Sequence, residues 1–173
     1  MPYTPILGTL GFVLAPDGAS ALLVHRGARL DDHAYGKTNG LGGKLERDED
    51  IASGMLREIR EEAGIEVTQM TLRGTVNWPG FGKNGEDWLG YIFIVTGWTG
   101  TPFTHNVEGT LSWVPLTRLM QWCDPTTRAQ SGLDLWAGDA HFIPLVFDDD
   151  PRPFHGVMPY VDGEPVDWRF TRL

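Results

Sequence analysis

A single cysteine, Cys123, occurs in the 173 residues. No intrachain disulfide is therefore possible, and a reducing compartment is expected. No apolar run approaches the roughly 20 residues that a membrane-spanning helix needs. The opening MPYTPILGTL also lacks the basic start and long apolar stretch of a signal peptide. The expectation is a cytoplasmic protein with no membrane partner. Positive charge is scarce: 14 lysines and arginines face 23 aspartates and glutamates, a formal net charge of −9. Gripping a nucleic-acid backbone requires a basic face, so a nucleic-acid polymer is excluded as partner. A small anionic substrate is not, because a metal can invert the local sign. The five histidines (His25, His33, His105, His141 and His155) show no ligand spacing, which argues against zinc. No serine sits between glycines in the pattern of a nucleophile elbow, so a covalent mechanism has no candidate.

The hydrophobic content of 41% is ordinary for a globular protein. The length suits one domain, residues 1–173, rather than two. Seven tryptophans exceed what a core of this size needs, and planar ligands stack on such residues. TLGFVLA and SALLVHR read as strands joined through Pro16-Asp17-Gly18, a hairpin. GARLDDHAYGKTNGLGGK is too polar and glycine-rich for an element and reads as a long functional loop. A helix follows from about Asp50 to Ala63, with acidic groups at its start and Gly64 as its stop. Strands are expected over 67–78, 88–98 and 111–116. Short helices are expected in LTRLMQW and within DLWAGDAHFIPLVF, and a terminal hairpin turned at Asp162-Gly163. Sheet with helices on its faces, a mixed α/β domain, is the predicted class.

On a helical wheel at roughly 100° per residue, Glu58, Glu61 and Glu62 share one arc about 100° wide. Ile51, Met55, Ile59 and Ala63 form the core-facing stripe, and Glu62 falls at its border, where it should be partly desolvated. Gly54 lies within the acidic arc and offers no side chain to block an approaching ligand. Like charges this close repel. Two readings meet the pattern: a solvated acidic face with Arg57 paired to Glu61, or a site for a hard cation such as Mg²⁺ or Mn²⁺.

The surrounding residues select the second. Gly43, Glu49, Arg57-Glu58-Ile59, Arg60, Glu61-Glu62, Ala63 and Gly64-Ile65 stand at spacings that resemble the Nudix box at every defined position. The resemblance implies an α/β/α sandwich around a mixed sheet and a hydrolase of nucleoside diphosphate derivatives that uses a divalent metal, Mg²⁺ with Mn²⁺ as the alternative. It implies that Glu58, Glu61 and Glu62 are metal ligands, one of them also acting on water, and that Gly42 lends a carbonyl. Arg57 with Glu49 would hold the loop against the helix, and Lys44, beside Gly43, would meet a phosphate. Glu108, in NVEGTLSW, is the candidate fourth carboxylate. The intact box favours an enzyme over a non-catalytic nucleotide-binding module.

Outside the box, TLGFVLAP, NGLGGK, LWAGDAHFIPL and FHG are similar to segments of MutT-like oxidised-purine triphosphatases, in the same order. That similarity implies a purine triphosphate such as 8-oxo-dGTP as the substrate. Asn39 and Asp139 would hydrogen-bond the base, Trp136 would stack on it, and Thr9 would line the pocket. Gly138 departs from the consecutive aspartates of mammalian members. ADP-ribose or another nucleoside diphosphate derivative is the alternative substrate, and a monomer is expected.

Overall fold

The computed structural model of the protein describes residues 2–173. The expected first hairpin is present: β1 (Ile6–Leu14) and β2 (Ser20–His25) run antiparallel, with Val13 opposite Leu22 and Leu14 opposite Ala21. The segment read as loop is mostly loop, but β3 (Thr38–Asn39) pairs with the end of β2. Helix α1 (Ile51–Ala63) begins where the sequence reading put it. The Asp50 carboxylate caps it, accepting from the Ala52 and Ser53 amides at 2.8 and 2.9 Å. Gly64, left-handed at φ 70°, ends it by donating to the Arg60 carbonyl.

β4 (Glu66–Trp78) and β5 (Trp88–Thr99) form a long antiparallel pair. β6 (Thr110–Pro115) returns to β2, and α2 (Leu116–Cys123) follows directly. A four-residue turn, α3 (Arg128–Ser131), was not legible in the sequence, being too short to carry a helical period. α4 (Asp139–Phe147) fulfils the last helical expectation. β7 (Phe154–Val157), β8 (Tyr160–Val161), β9 (Glu164–Pro165) and β10 (Arg169–Arg172) complete the chain. The turn at Asp162-Gly163 is where it was expected, with φ 51° and 82°. Its inner limbs β8 and β9 pair only with each other, while the outer limbs β7 and β10 join the main sheet.

That sheet runs β10-β7-β4-β5-β1-β2-β3, with β6 also on β2. It is mixed, since β1 with β5 and β4 with β7 are parallel and the other pairs antiparallel. Strand alternation sends neighbouring residues to opposite faces. Phe12, Leu23 and Ile92 point to the face covered by α2 and α4, where Leu119, Trp122, Phe142 and Val146 meet them. Val13, Leu22 and Phe93 point to the other face, against Met55, Ile59 and Ala63 of α1. The result is an α/β/α sandwich around a mixed sheet. Met55 and Ile59 are fully buried, each contributing roughly 1.5–3 kcal/mol, and they fix the helix so that its opposite edge faces the glycine loop. Among the described residues no helix is long and apolar enough to cross a membrane.

Candidate active site

The segment Leu41–Leu45 is stitched alongside β1. Thr9 donates to the Gly43 carbonyl at 2.8 Å, Gly11 and Leu41 exchange hydrogen bonds at 2.6 and 3.0 Å, and Leu45 donates to Leu7 at 3.0 Å. Gly42 sits at φ 149°, and a Cβ there would lie 2.0 Å from the Thr9 carbonyl oxygen, so only glycine fits. This close approach brings the loop onto the acidic edge of α1. The Gly42 amide donates to Glu62 Oε2 at 2.8 Å, and a Cβ on Gly43 would stand 2.6 Å from Glu58 Oε1.

Arg57 joins loop to helix. It grips Glu49 through both carboxylate oxygens at 2.6 and 2.9 Å, the Lys44 carbonyl at 3.1 Å, Glu58 at 2.8 Å and Glu61 at 3.2 Å. The Glu49 hydrogen bond, with Glu58 adding to it, holds the guanidinium above its ordinary range. The acidic-face reading was therefore right about the Arg57–Glu61 contact, although Glu49 is the closer partner. The expectation for Gly54 needs correction. A Cβ there would lie 2.3 Å from Leu45 Cδ2, so what comes close to that glycine is the Leu45 side chain and not a ligand.

Glu58, Glu61, Glu62 and Glu108 line one cavity of about 430 Å³. Asn106 sets Glu108 in place: its side chain donates to the Glu62 carbonyl at 3.0 Å and accepts from the Glu108 amide at 2.9 Å. Arg26 then holds the Glu108 carboxylate at 2.5 Å and Asp32 at 2.7 Å. Among the described residues Glu62 alone of the four has no cationic side chain within ion-pair distance. It is also only 8% exposed. Burial, and then the adjacent Glu108 carboxylate, push its pKa up to about 9. Glu58 is raised as well, chiefly by burial. A carboxylate so placed calls for a proton or a cation, and an all-oxygen donor set suits Mg²⁺ or Mn²⁺. The four do not form a closed cage. Among the described residues no three histidine, cysteine or carboxylate side chains converge as a ready ligand set, and Arg57 and Arg26 draw Glu58 and Glu108 aside.

A second cavity, of about 360 Å³, adjoins the first, and Glu108 lines both. Thr9, Asn39, Trp136 and Asp139, singled out from the sequence, all line it, as do Gly42, Gly43 and Lys44. Among the described residues the buried Thr9 hydroxyl has no hydrogen-bond partner. Burial raises Asp139 to about 7, opposed by the Trp136 backbone and Lys37. Trp136 packs against Phe81 and His33 with ring centroids 5.0 Å away in each case. Lys44 Nζ stands 5.4 Å over the Trp88 ring.

Sequence reasoning missed Arg26, Asp32, His33, Trp78, Phe81, Trp88 and Tyr160, all of which line this cavity. They are scattered over five segments, and no spacing relates them. Only the surplus of aromatics signalled that such a wall existed.

Comparison with known proteins agrees with this geometry. A sequence model of the NUDIX domain matches residues 4–135. The uncharacterised Nudix hydrolase YvcI of Bacillus subtilis is 32% identical over 123 residues, covering 69% of each chain. The oxidized purine nucleoside triphosphate hydrolase of Mus musculus is 28% identical over 163 residues, 94% of this chain and 92% of the mouse protein. Among solved structures, the MutT protein from Bacillus halodurans superposes with a TM-score of 0.75 at 25% identity, covering 95% of this chain and 97% of its own.

Proposed function

The chain belongs to the Nudix family of hydrolases, and on that premise we propose that it cleaves a purine nucleoside triphosphate, oxidised in its base, to the monophosphate and pyrophosphate. Glu58, Glu61, Glu62 and Glu108 hold the divalent ion, Mg²⁺ or Mn²⁺. When bound, that ion neutralises phosphate charge and makes a water usable as nucleophile near neutral pH. Arg57 keeps Glu58 and Glu61 oriented through its grip on Glu49. Gly42 fixes Glu62 by its amide. Lys44, which lies over Trp88 and lines the aromatic chamber, would meet the phosphate chain. Catalysis is then mainly positioning and charge stabilisation at phosphorus.

The observation that carries this reading is the shared wall. An aromatic chamber lined by Thr9, Asn39 and Asp139 shares Glu108 with the carboxylate chamber. A base on Trp136, read at its edge by Asn39 and Asp139, puts its own phosphates toward the carboxylates. The name of the mouse relative, and its coverage of 94% of this chain, support the oxidised-purine choice.

A hydrolysis panel with Mg²⁺ tests the proposal, comparing 8-oxo-dGTP, 2-hydroxy-dATP, ordinary dNTPs, ADP-ribose and a diadenosine polyphosphate, with products separated by chromatography. The expected result is highest kcat/KM on an oxidised purine triphosphate with release of pyrophosphate. Highest kcat/KM on ADP-ribose would overturn the substrate and leave the metal chemistry standing.

A further inference from the structure

The NUDIX match ends at residue 135, yet the chamber described above is closed by residues beyond it. One of these is Tyr160, only 6% exposed, whose ring packs edge-on against Phe81 with centroids 5.0 Å apart. The β8–β9 hairpin carries it, and the Tyr160 amide ties that hairpin to the Pro79 carbonyl at 2.8 Å. The phenol end reaches the first turn of α4: a Cβ on Gly138 would lie 2.3 Å from the Tyr160 hydroxyl oxygen and 2.2 Å from Met158 Sδ. The absence of a side chain at Gly138 is thus what admits the hydroxyl at that point, one residue along the chain from Asp139. Tyr160, Asp139 and Thr9 all line the cavity, and the buried Thr9 hydroxyl has no hydrogen-bond partner among the described residues. Three polar groups on three separate elements therefore face one aromatic space.

We propose that the Tyr160 hydroxyl is a specificity-determining group that, next to Asp139, hydrogen-bonds the edge of the nucleotide base. This rests on the reading of the chamber as the base site. The physical argument is one of donors and acceptors. A carboxyl and a phenol on the wall of one cavity present a donor and an acceptor, which matches the paired functions on a purine edge. Burial and the Asp139 carboxylate hold the phenol above its ordinary range, so it stays protonated and able to donate. A base that cannot satisfy both groups leaves one of them desolvated and unpaired, and discrimination arises from that cost.

The test is Tyr160→Phe, which keeps the ring against Phe81 and removes only the oxygen; an unchanged thermal midpoint checks that the fold is kept. Equilibrium binding of 8-oxo-dGMP, dGMP, dAMP and dCMP, without metal, is followed by tryptophan fluorescence for both proteins. The expected result is a loss of about tenfold on the base that the wild type binds best, the scale of one hydrogen bond, with little change on the others. An equal change on every base, or none, overturns the role of Tyr160. If the wild type still prefers an oxidised triphosphate in the hydrolysis panel, the proposed function survives that failure. Conversely, a wild type that hydrolyses ADP-ribose and no triphosphate, combined with selective loss of dAMP binding in Tyr160→Phe, overturns the triphosphate reading and supports Tyr160. A wild type that binds all four monophosphates equally overturns the role of Tyr160, and the hydrolysis panel then decides the proposed function by itself.

Discussion

At the scale of single residues, two buried carboxyls make separate predictions. Glu62 accepts from the Gly42 amide and, among the described residues, has no cationic partner. Glu62→Gln keeps that hydrogen bond and removes the charge. Turnover with Mg²⁺ should fall by roughly a hundredfold or more, as for loss of a preorganised charge-stabilising group, while the thermal midpoint without metal does not fall. Retained turnover would remove Glu62 from the chemistry. Asp139 lies in the other chamber, and its folded pKa is raised to about 7, primarily by burial. A raised value means that folding favours the protonated form. Its contribution is therefore complete below the ordinary carboxylate range of about 4, shrinks as pH rises, and is lost through about pH 7. Thermal midpoints measured from pH 4 to 8 should drop more steeply in wild type than in Asp139→Asn. Parallel curves would mean that Asp139 is solvated in the folded protein. Lys37 opposes the shift and limits its size.

At the scale of elements, α1 was legible almost to the residue, because a capping aspartate, an apolar stripe and a stop glycine are all local signals. The acidic arc was legible for the same reason. What the arc packs against was not. Leu45 over Gly54 and the Asn106 bridge to Glu108 depend on chain segments that meet only after folding. The C-terminal elements show the same limit: the Asp162-Gly163 turn could be read, but not that it would deliver Tyr160 to a pocket wall. Another hidden support is Arg73 on β4, only 8% exposed. It donates to the carbonyls of Leu145, Val146, Asp148 and Asp150, holding the end of α4 and the entry to β7. Arg73→Met leaves those acceptors unpaired and should destabilise by about 2–4 kcal/mol. Trp136 and Asp139 stand at the start of α4, whereas the box glutamates lie on α1 across the sheet. Below the new midpoint, KM should therefore rise more than kcat falls. An equal loss in both would mean that the two helices are not mechanically separate.

The whole molecule carries a net charge of −9 and concentrates four carboxylates around one cavity. Such an arrangement repels itself, and anything cationic that binds the folded chain alone stabilises it by mass action. Magnesium at about 100 times its dissociation constant should add about 2.7 kcal/mol, a rise of roughly 5–10 °C in the midpoint for a chain of this size. The two-chamber layout makes that rise separable from base recognition. Glu58→Gln and Glu62→Gln should lose much of it, because they alter the donor set. Trp136→Ala should keep it, because Trp136 lines the aromatic chamber and a neighbouring hollow and is not among the residues lining the carboxylate chamber. Glu108 lines both chambers and is tied to Arg26, so Glu108→Gln should weaken the magnesium response and also change the affinity for a nucleoside monophosphate. Thermal melts of these variants with and without Mg²⁺, alongside monophosphate titrations, check the arrangement. If Glu108→Gln altered the magnesium response alone, the chambers would be neighbours without energetic coupling. If Trp136→Ala abolished the response, they would be one site rather than two.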